Sequence, residues 1–523
     1  MDVVPSRRDL VRRVGPRLFG PPLPGPAALW QAGGRRGLTA AICVVVPLVA
    51  GTLAGRTDLG AAAALSAFTA TYGHALPYRR RAIVVAAVAL TLTAAAGLGA
   101  LTGRHPVTLS LVCGALAAAA AAATGIWRIG PPGPLGIVLV CGGSSALAAP
   151  PSEVGELVLA AAGGATLAWC ASMLPWLWDP TGPERRALDA AERAVAAVED
   201  AGLGTLRPGA LATAVRLADV AVADGSRRDD GSLRARLRSV ERRFLHALPA
   251  HPGNVPGPAT AGLPGPATPH RWWHAAPLVT ALRIGVGTTA AGLLATAAGL
   301  HNPYWAATTA VAVQLGIGAR STRDRAVHRM AGTVVGVLIA ALIIAADLPV
   351  GIEILLVGLL QLTVELLVVH KYGLAVAAIT PMVLTLVHLG VPEATGADLI
   401  GERLAETGIG IGIGLAAGIL LFPRSASRRL PAVVAAAMRA ALDAARSTGA
   451  DRRLHDALVE LTEVATATRA ELSPTPDSTA WLDLGRHVAD LGWGLLGARA
   501  RQDGDLAATV AGRITEDLVP PRS

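Results

Sequence analysis

Twelve apolar segments in two groups of six, joined by loops alternately rich and poor in arginine, constrain this chain more than any other feature. The first group covers 38–54, 59–75, 82–101, 107–126, 134–149 and 155–178. The second covers 279–299, 303–318, 330–347, 350–369, 372–389 and 399–421. Most approach the roughly 20 residues an α-helix needs to cross a bilayer, although several fall short. Arg35–Arg36, Arg79–Arg81, Arg128, Arg185–Arg186, Arg320 to Arg329, His370–Lys371 and Arg424 occupy one set of loops. The other set holds Arg56 with Asp58, Arg104, Glu153, Asp347, Glu393 and Asp398. Positive charge is retained on the cytoplasmic side, so the alternation predicts six plus six spans with both termini and the central linker in the cytoplasm.

Composition agrees. Of 523 residues 52% are apolar and only 16% charged, with a mean hydropathy of +0.49, outside the balance of soluble domains. The net charge of +9 is arginine charge, since Lys371 is the only lysine. These arginines sit in short clusters between apolar runs, whereas nucleic-acid binding gathers charge on one soluble face; no nucleic-acid partner is expected. Cys43, Cys113, Cys141 and Cys170 lie inside apolar segments without ligand spacing, which reads as small buried hydrophobes. Residues 1–36 are basic and Pro-rich with no apolar core, so no cleavable signal peptide is expected there.

The predicted fold is all-α: a polytopic membrane protein of about twelve transmembrane helices in two parallel six-helix repeats, with cytoplasmic helical segments. The repeats rest on parallels between the halves: arginine before the first span (Arg35–Arg36; Arg283), a basic turn after the second, and a Gly-rich last span ending near Pro175 or Pro423. The order is then a basic N-terminus (1–36), a first membrane repeat (37–178), cytoplasmic helices (179–248), a Pro/Gly-rich linker (249–275), a second membrane repeat (276–422) and C-terminal cytoplasmic helices (423–523). Leu188, Ala191, Val195 and Val198 share one helical face, as do Leu233, Leu237, Val240 and Phe244. Leu454, Leu458 and Leu461 repeat the pattern, as do Leu484, Val488, Leu491 and Leu495, beyond a turn at 473–477. Such faces bury against each other or against a second subunit, so a homo-oligomer through the cytoplasmic helices is one expectation.

The second half concentrates the residues with chemical potential. Tyr304 and Trp305 open a span behind Pro303, as an interfacial anchor or as a stacking platform. Arg320 and Arg323 read as topology determinants. Arg325 and Arg329, one turn apart and leading to the small-residue face of Gly332 and Gly336, read as an anion vestibule at the cytoplasmic mouth. Ionisable groups inside spans are informative because each costs about 3 kcal/mol at the bilayer centre. Glu365, one turn after Gln361, has no opposite charge near it in sequence and could carry a proton. Arg403 and Glu406 form an i,i+3 pair, either a self-satisfied ion pair or part of a site. Glu353, His74, His301 and His388 lie near span ends and are expected to be solvated. Gly408, Gly410, Gly412, Gly414 and Gly418 lack a preceding strand and dinucleotide spacing; Gly410 and Gly414 read as a helix-packing face. Thr380-Pro381 suggests a kink. There is no Walker motif, no metal-ligand cluster and no nucleophile–base pair, so neither an enzyme nor a bound cofactor is expected.

One ordered set carries a resemblance: Leu282-Arg283, Pro303-Tyr-Trp-Ala306, Gln314, Arg325 and Arg329, Gly332-Thr333-x-x-Gly336, Tyr372, and Arg403 with Gly410 and Gly414. In these residues the second half resembles the fusaric acid resistance protein-like superfamily, which includes bacterial aromatic carboxylic acid exporters. The first half departs from it, with Leu59-Gly-Ala-Ala-Ala63 where the second has Asn302-Pro-Tyr-Trp-Ala306. The resemblance implies an inner-membrane efflux transporter for small organic, often aromatic, acids. Its expected substrate or translocation residues here are Tyr304, Trp305, Gln314, Arg325, Arg329 and Arg403, with proton coupling through Glu365 or Glu406. A passive organic-anion channel and a non-transporting membrane scaffold are the alternatives.

Overall fold

The computed structural model describes residues 23, 25–127, 129–147, 152–201, 208–225, 231–248, 276–315, 319–391, 399–421, 424–471 and 474–518. Most of the N-terminal segment, the loop arginine Arg128, the linker 249–275, Glu393, Asp398 and Pro423 lie outside them. The described residues are helical, without strands, and fall into two compact units. One draws on Met1–His74, Arg81–Pro175 and Ala275–Phe422; the other on Ala75–Arg80, Trp176–His274 and Pro423–Ser523.

The first unit holds an apolar helix at each of the twelve expected places: α1 (Pro26–Leu53), α2 (Thr57–Ser66), α3 (Tyr78–Thr102), α4 (Pro106–Ile126), α5 (Pro134–Ala146) and α6 (Val154–Met173) in the first half. After the second unit's α7 (Gly182–Ala201), α8 (Pro208–Ala223) and α9 (Ser232–Ala247) come α10 (Ala276–Ala297), α11 (Tyr304–Gln314), α12 (Ala319–Ala345), α13 (Val350–Leu367), α14 (Tyr372–Gly390) and α15 (Leu399–Leu420). Among the described residues nine helices are long and apolar enough to cross a membrane. Helices α2, α5 and α11, among the segments expected to fall short, are below spanning length.

The reason is burial. All eleven residues of α11 are buried, as are seven of the ten in α2 and eleven of the thirteen in α5. An eleven-residue helix rises only about 16 Å against a hydrocarbon core of about 30 Å. A lipid-facing helix that short would leave polar backbone in hydrocarbon, whereas one sheathed by other helices need not match the lipid thickness. The long helices supply that sheath and turn Leu53, Ile83, Leu90, Leu159, Leu342 and Leu355 outward. Helix α10 packs along α4 and α13 along α1, while in the interior α11 packs on α5 and α14 on α2. The core is small-residue and β-branched, with Ala61, Ala62, Ala64, Val138, Val140, Ala307 and Val311 fully enclosed.

Two expectations from single residues also change. Cys170 is exposed, because it lies on the outward face of α6, while Glu353 is buried in the first turn of α13. Pro381 sits within α14, where Thr380 Oγ1 donates to the Val376 carbonyl.

The second unit adds α16 (Ser425–Arg446), α17 (Asp451–Arg469), α18 (Ser478–Ala500) and α19 (Gly504–Leu518). The four apolar faces read from the sequence are buried in one core within a single chain. Helices α8, α16 and α19 complete it with faces that mix Ala and Val with Leu211, Leu430, Ile514 and Leu518. Glu471 accepts hydrogen bonds from the Ala426 and Ser427 amides and so compensates the N-terminus of α16.

Candidate functional site

Helix α11 places the site because two glycine-bearing helices let it come close. A Cβ on Gly410 would stand 2.5 Å from the Ala306 carbonyl and one on Gly414 3.2 Å from Ala310. The two glycines lie one turn apart on α15, so together they form the groove that receives α11. On α5, a Cβ on Gly142 would lie 2.2 Å from the Tyr304 ring. Pro303 precedes the first turn as N-cap, with its fixed φ suited to a helix start. Together these contacts hold Tyr304 and Trp305 inside the unit, 3% and 4% exposed, with ring centroids 4.8 Å apart. Both rings are enclosed by protein.

The Arg403 guanidinium carbon stacks 3.6 Å from the centroid of the Trp305 ring. Arg403 is 1% exposed. Among the described residues its one carboxylate partner is Glu406, at 3.9 Å from Nη1, and none of Nε, Nη1 and Nη2 has a hydrogen-bond partner. The pair is therefore not self-satisfied. One face of the guanidinium is covered by the indole and its donor edge makes no hydrogen bond among the described residues, a donor set that suits a planar oxyanion. Arg329 on α12 is also buried with an unpartnered Nε, and its charge acts on Arg403. The Arg403 guanidinium thus sits under the influence of a like charge, Arg329, and of one carboxylate, Glu406. Glu402, whose charge reaches Glu406, is engaged at the edge by His301 at 2.5 Å. The buried Thr309 and Thr333 hydroxyls and Gln314 Oε1 also lack partners, and a Cβ on Gly287 of α10 would stand 2.4 Å from Gln314 Nε2.

Other expected residues lie apart from this cluster. Arg325 stacks over the Tyr372 ring at 4.8 Å, so the two supposed vestibule arginines have different surroundings. Arg323 is exposed, and the Arg320 side chain is outside the described residues. Gly332 and Gly336 lie at the α12–α14 contact, where added Cβ atoms would stand 2.5 Å from the Gly373 carbonyl and 2.7 Å from Thr380 Cβ.

Glu365 is not the lone carboxylate its sequence neighbourhood suggests. Arg36 Nε lies 2.5 Å from Oε2, and Arg36 Nη2 donates to the Glu365 carbonyl at 2.8 Å. Gln361 Nε2 lies 3.4 Å from Oε1. The partner comes from the start of α1, which α13 packs against, and no local pattern in α13 announces it.

Valine at Gly410 is expected to force α11 away from α15 and to lower stability by about 1–3 kcal/mol, the usual cost of overpacking. Gly412, where a Cβ meets nothing within 4 Å, is the control. Thermal unfolding in detergent should show a lowered Tm for Gly410→Val and an unchanged one for Gly412→Val. Equal behaviour would disprove the groove.

Residues 289–417 match the family described as fusaric acid resistance protein-like. The chain is also similar to an uncharacterized membrane protein of Bacillus subtilis, YvaC, at 35% identity over 31% of this chain and 26% of that protein. An uncharacterized protein of Escherichia coli, YhfK, is 34% identical over 27% of this chain and 20% of its own length. The chain thus spans about a quarter or less of the curated relatives it matches. No solved structure matches.

Proposed function

We propose that this membrane protein is an inner-membrane efflux transporter for small organic acids, aromatic carboxylates among them, driven by exchange with protons. The observation that carries the reading is the buried Arg403 guanidinium, stacked on Trp305 and without a hydrogen bond. A carboxylate takes its donor edge with two parallel charge-assisted bonds, and an aromatic body lies along the Trp305 and Tyr304 rings. Arg329 draws the anion inward. Binding displaces Glu406 from Arg403, and a displaced carboxylate in that setting takes a proton, so substrate and proton exchange at one cation. Glu365, held by Arg36, ties α1 to α13 rather than carrying the proton.

In this reading the plasma membrane is the site of action, and the helical unit and both termini are cytoplasmic, on the strength of the arginine distribution in the loops. The halves are two parallel repeats. In support, the first helix of each half packs on the fourth of the other (α1 with α13, α10 with α4). The second likewise packs on the fifth (α2 with α14, α11 with α5).

The test is uptake of radiolabelled aromatic and aliphatic carboxylates into inside-out vesicles, with and without an imposed pH gradient. Accumulation above equilibrium that collapses with the gradient is expected. Equilibration indifferent to the gradient would replace the carrier with a channel, and absence of flux for every acid would end the transport reading.

A further inference from the structure

The helical unit outside the membrane spans contains a cavity of about 420 Å³, within the range of small-molecule sites. Four helices build it: α8 supplies Arg216 and Asp219, α9 supplies Glu241 and Phe244, α17 supplies Asp451, Arg452, His455 and Asp456, and α18 supplies Arg499. One wall is aromatic. The Phe244 and His455 rings meet edge to face at 5.9 Å, and both lean on Trp493, at 5.8 and 5.5 Å.

The charged groups do not cancel. Arg452 pairs with Asp219 at 2.8 Å, Arg216 with Asp456 at 3.9 Å, and Arg499 with Asp451. That accounts for every arginine in the lining and leaves the Glu241 carboxylate without an ion pair or hydrogen bond among the described residues. Arg238, one turn earlier on α9, and Arg452 act on Glu241 without closing a contact, while Asp219 opposes them. Burial holds the Glu241 carboxyl above its ordinary range and the His455 imidazole below its own, which leaves His455 neutral at physiological pH. An uncompensated carboxylate facing aromatic rings attracts an organic cation, through its charge and through the negative faces of the rings.

We infer that this cavity is a ligand site for a small organic ammonium ion with an apolar body, whose nitrogen pairs with Glu241 while the body lies against Phe244 and His455. It is independent of the anion site around Arg403. Because α8 and α9 precede α10 in the chain whereas α17 and α18 follow α15, an occupant joins segments on both sides of the second membrane half. That placement suits an effector.

The test is titration calorimetry of the full-length protein in detergent with 2-phenylethylamine, and with phenylacetate as the same ring bearing the opposite charge. Saturable binding of the amine is expected, weakened at least about tenfold by Glu241→Gln, the loss typical of one charge-assisted contact. Ala500→Phe, which fills the cavity from α18, should abolish it. Neither variant removes a core contact or an ion pair, and their Tm values report whether the fold is kept. Absence of amine binding, or amine binding untouched by both variants, overturns the inference. Phenylacetate binding that Glu241→Gln weakens equally would overturn the charge selection.

Discussion

Arg403→Met should abolish carboxylate transport and lower the Tm by stranding Glu406, whereas Arg403→Met/Glu406→Leu should abolish transport while leaving the protein at least as stable as before. A fully buried guanidinium with no hydrogen bond and one carboxylate at 3.9 Å is poorly compensated for its lost hydration. Replacing such a pair by apolar side chains of similar size is neutral or stabilising by about 1–4 kcal/mol. The binding side moves the other way, because truncating one partner of a desolvated charge pair costs roughly 2–5 kcal/mol or more. Substrate affinity should therefore fall at least about thirtyfold. The single variant leaves Glu406 without its cation, so the double variant Arg403→Met/Glu406→Leu should have the highest Tm of the set. Vesicle uptake and thermal unfolding read the two effects separately. Undiminished flux in Arg403→Met would remove Arg403 from the site. A fall in Tm that the double variant does not recover would make it a structural residue. Such opposition of stability and activity is common where a site is built from strained or desolvated groups.

The second large effect is expected at Arg36. Leucine there leaves Glu365 buried without its cation and Arg36's hydrogen bond to the Glu365 carbonyl unmade. Breaking a buried pair on one side costs about 3–5 kcal/mol, and partial exposure of Arg36 brings this nearer the lower figure. Arg36→Leu should lower the Tm, and Arg36→Leu/Glu365→Leu should recover most of the loss. Transport by the double variant then decides the role of Glu365. Retained proton-driven flux leaves it structural, whereas lost flux in a stable protein would return the proton pathway to it.

The apolar runs, the arginine alternation and the Gly410–Gly414 spacing were legible because each is a local property of the chain. Lipid demands continuous apolar helices, the membrane sorts loops by charge, and one turn of α-helix puts residues four apart on the same face. The Leu-period faces of the helical unit were legible for the same reason, whereas α8, α16 and α19 bury mixed faces of Ala, Val, Ile and Leu that a Leu period does not mark. The surroundings of α2, α5 and α11 were not legible. A hydropathy pattern reports that a segment is apolar, and only the packing reveals that other helices rather than lipid surround it.

Pairings across the chain were hidden for a related reason. Arg36 with Glu365, Gly142 with Tyr304 and Trp305 with Arg403 join residues far apart in sequence, and a local pattern holds no information about them. The sequence by itself determined that this is a helical membrane protein, roughly where each apolar helix lies and which residues carry charge. Tertiary structure decided which charges are neutralised and which are left open. Desolvation and hydrogen-bond geometry depend on which helices meet, and that choice made Glu365 a paired group and Arg403 an unsatisfied one.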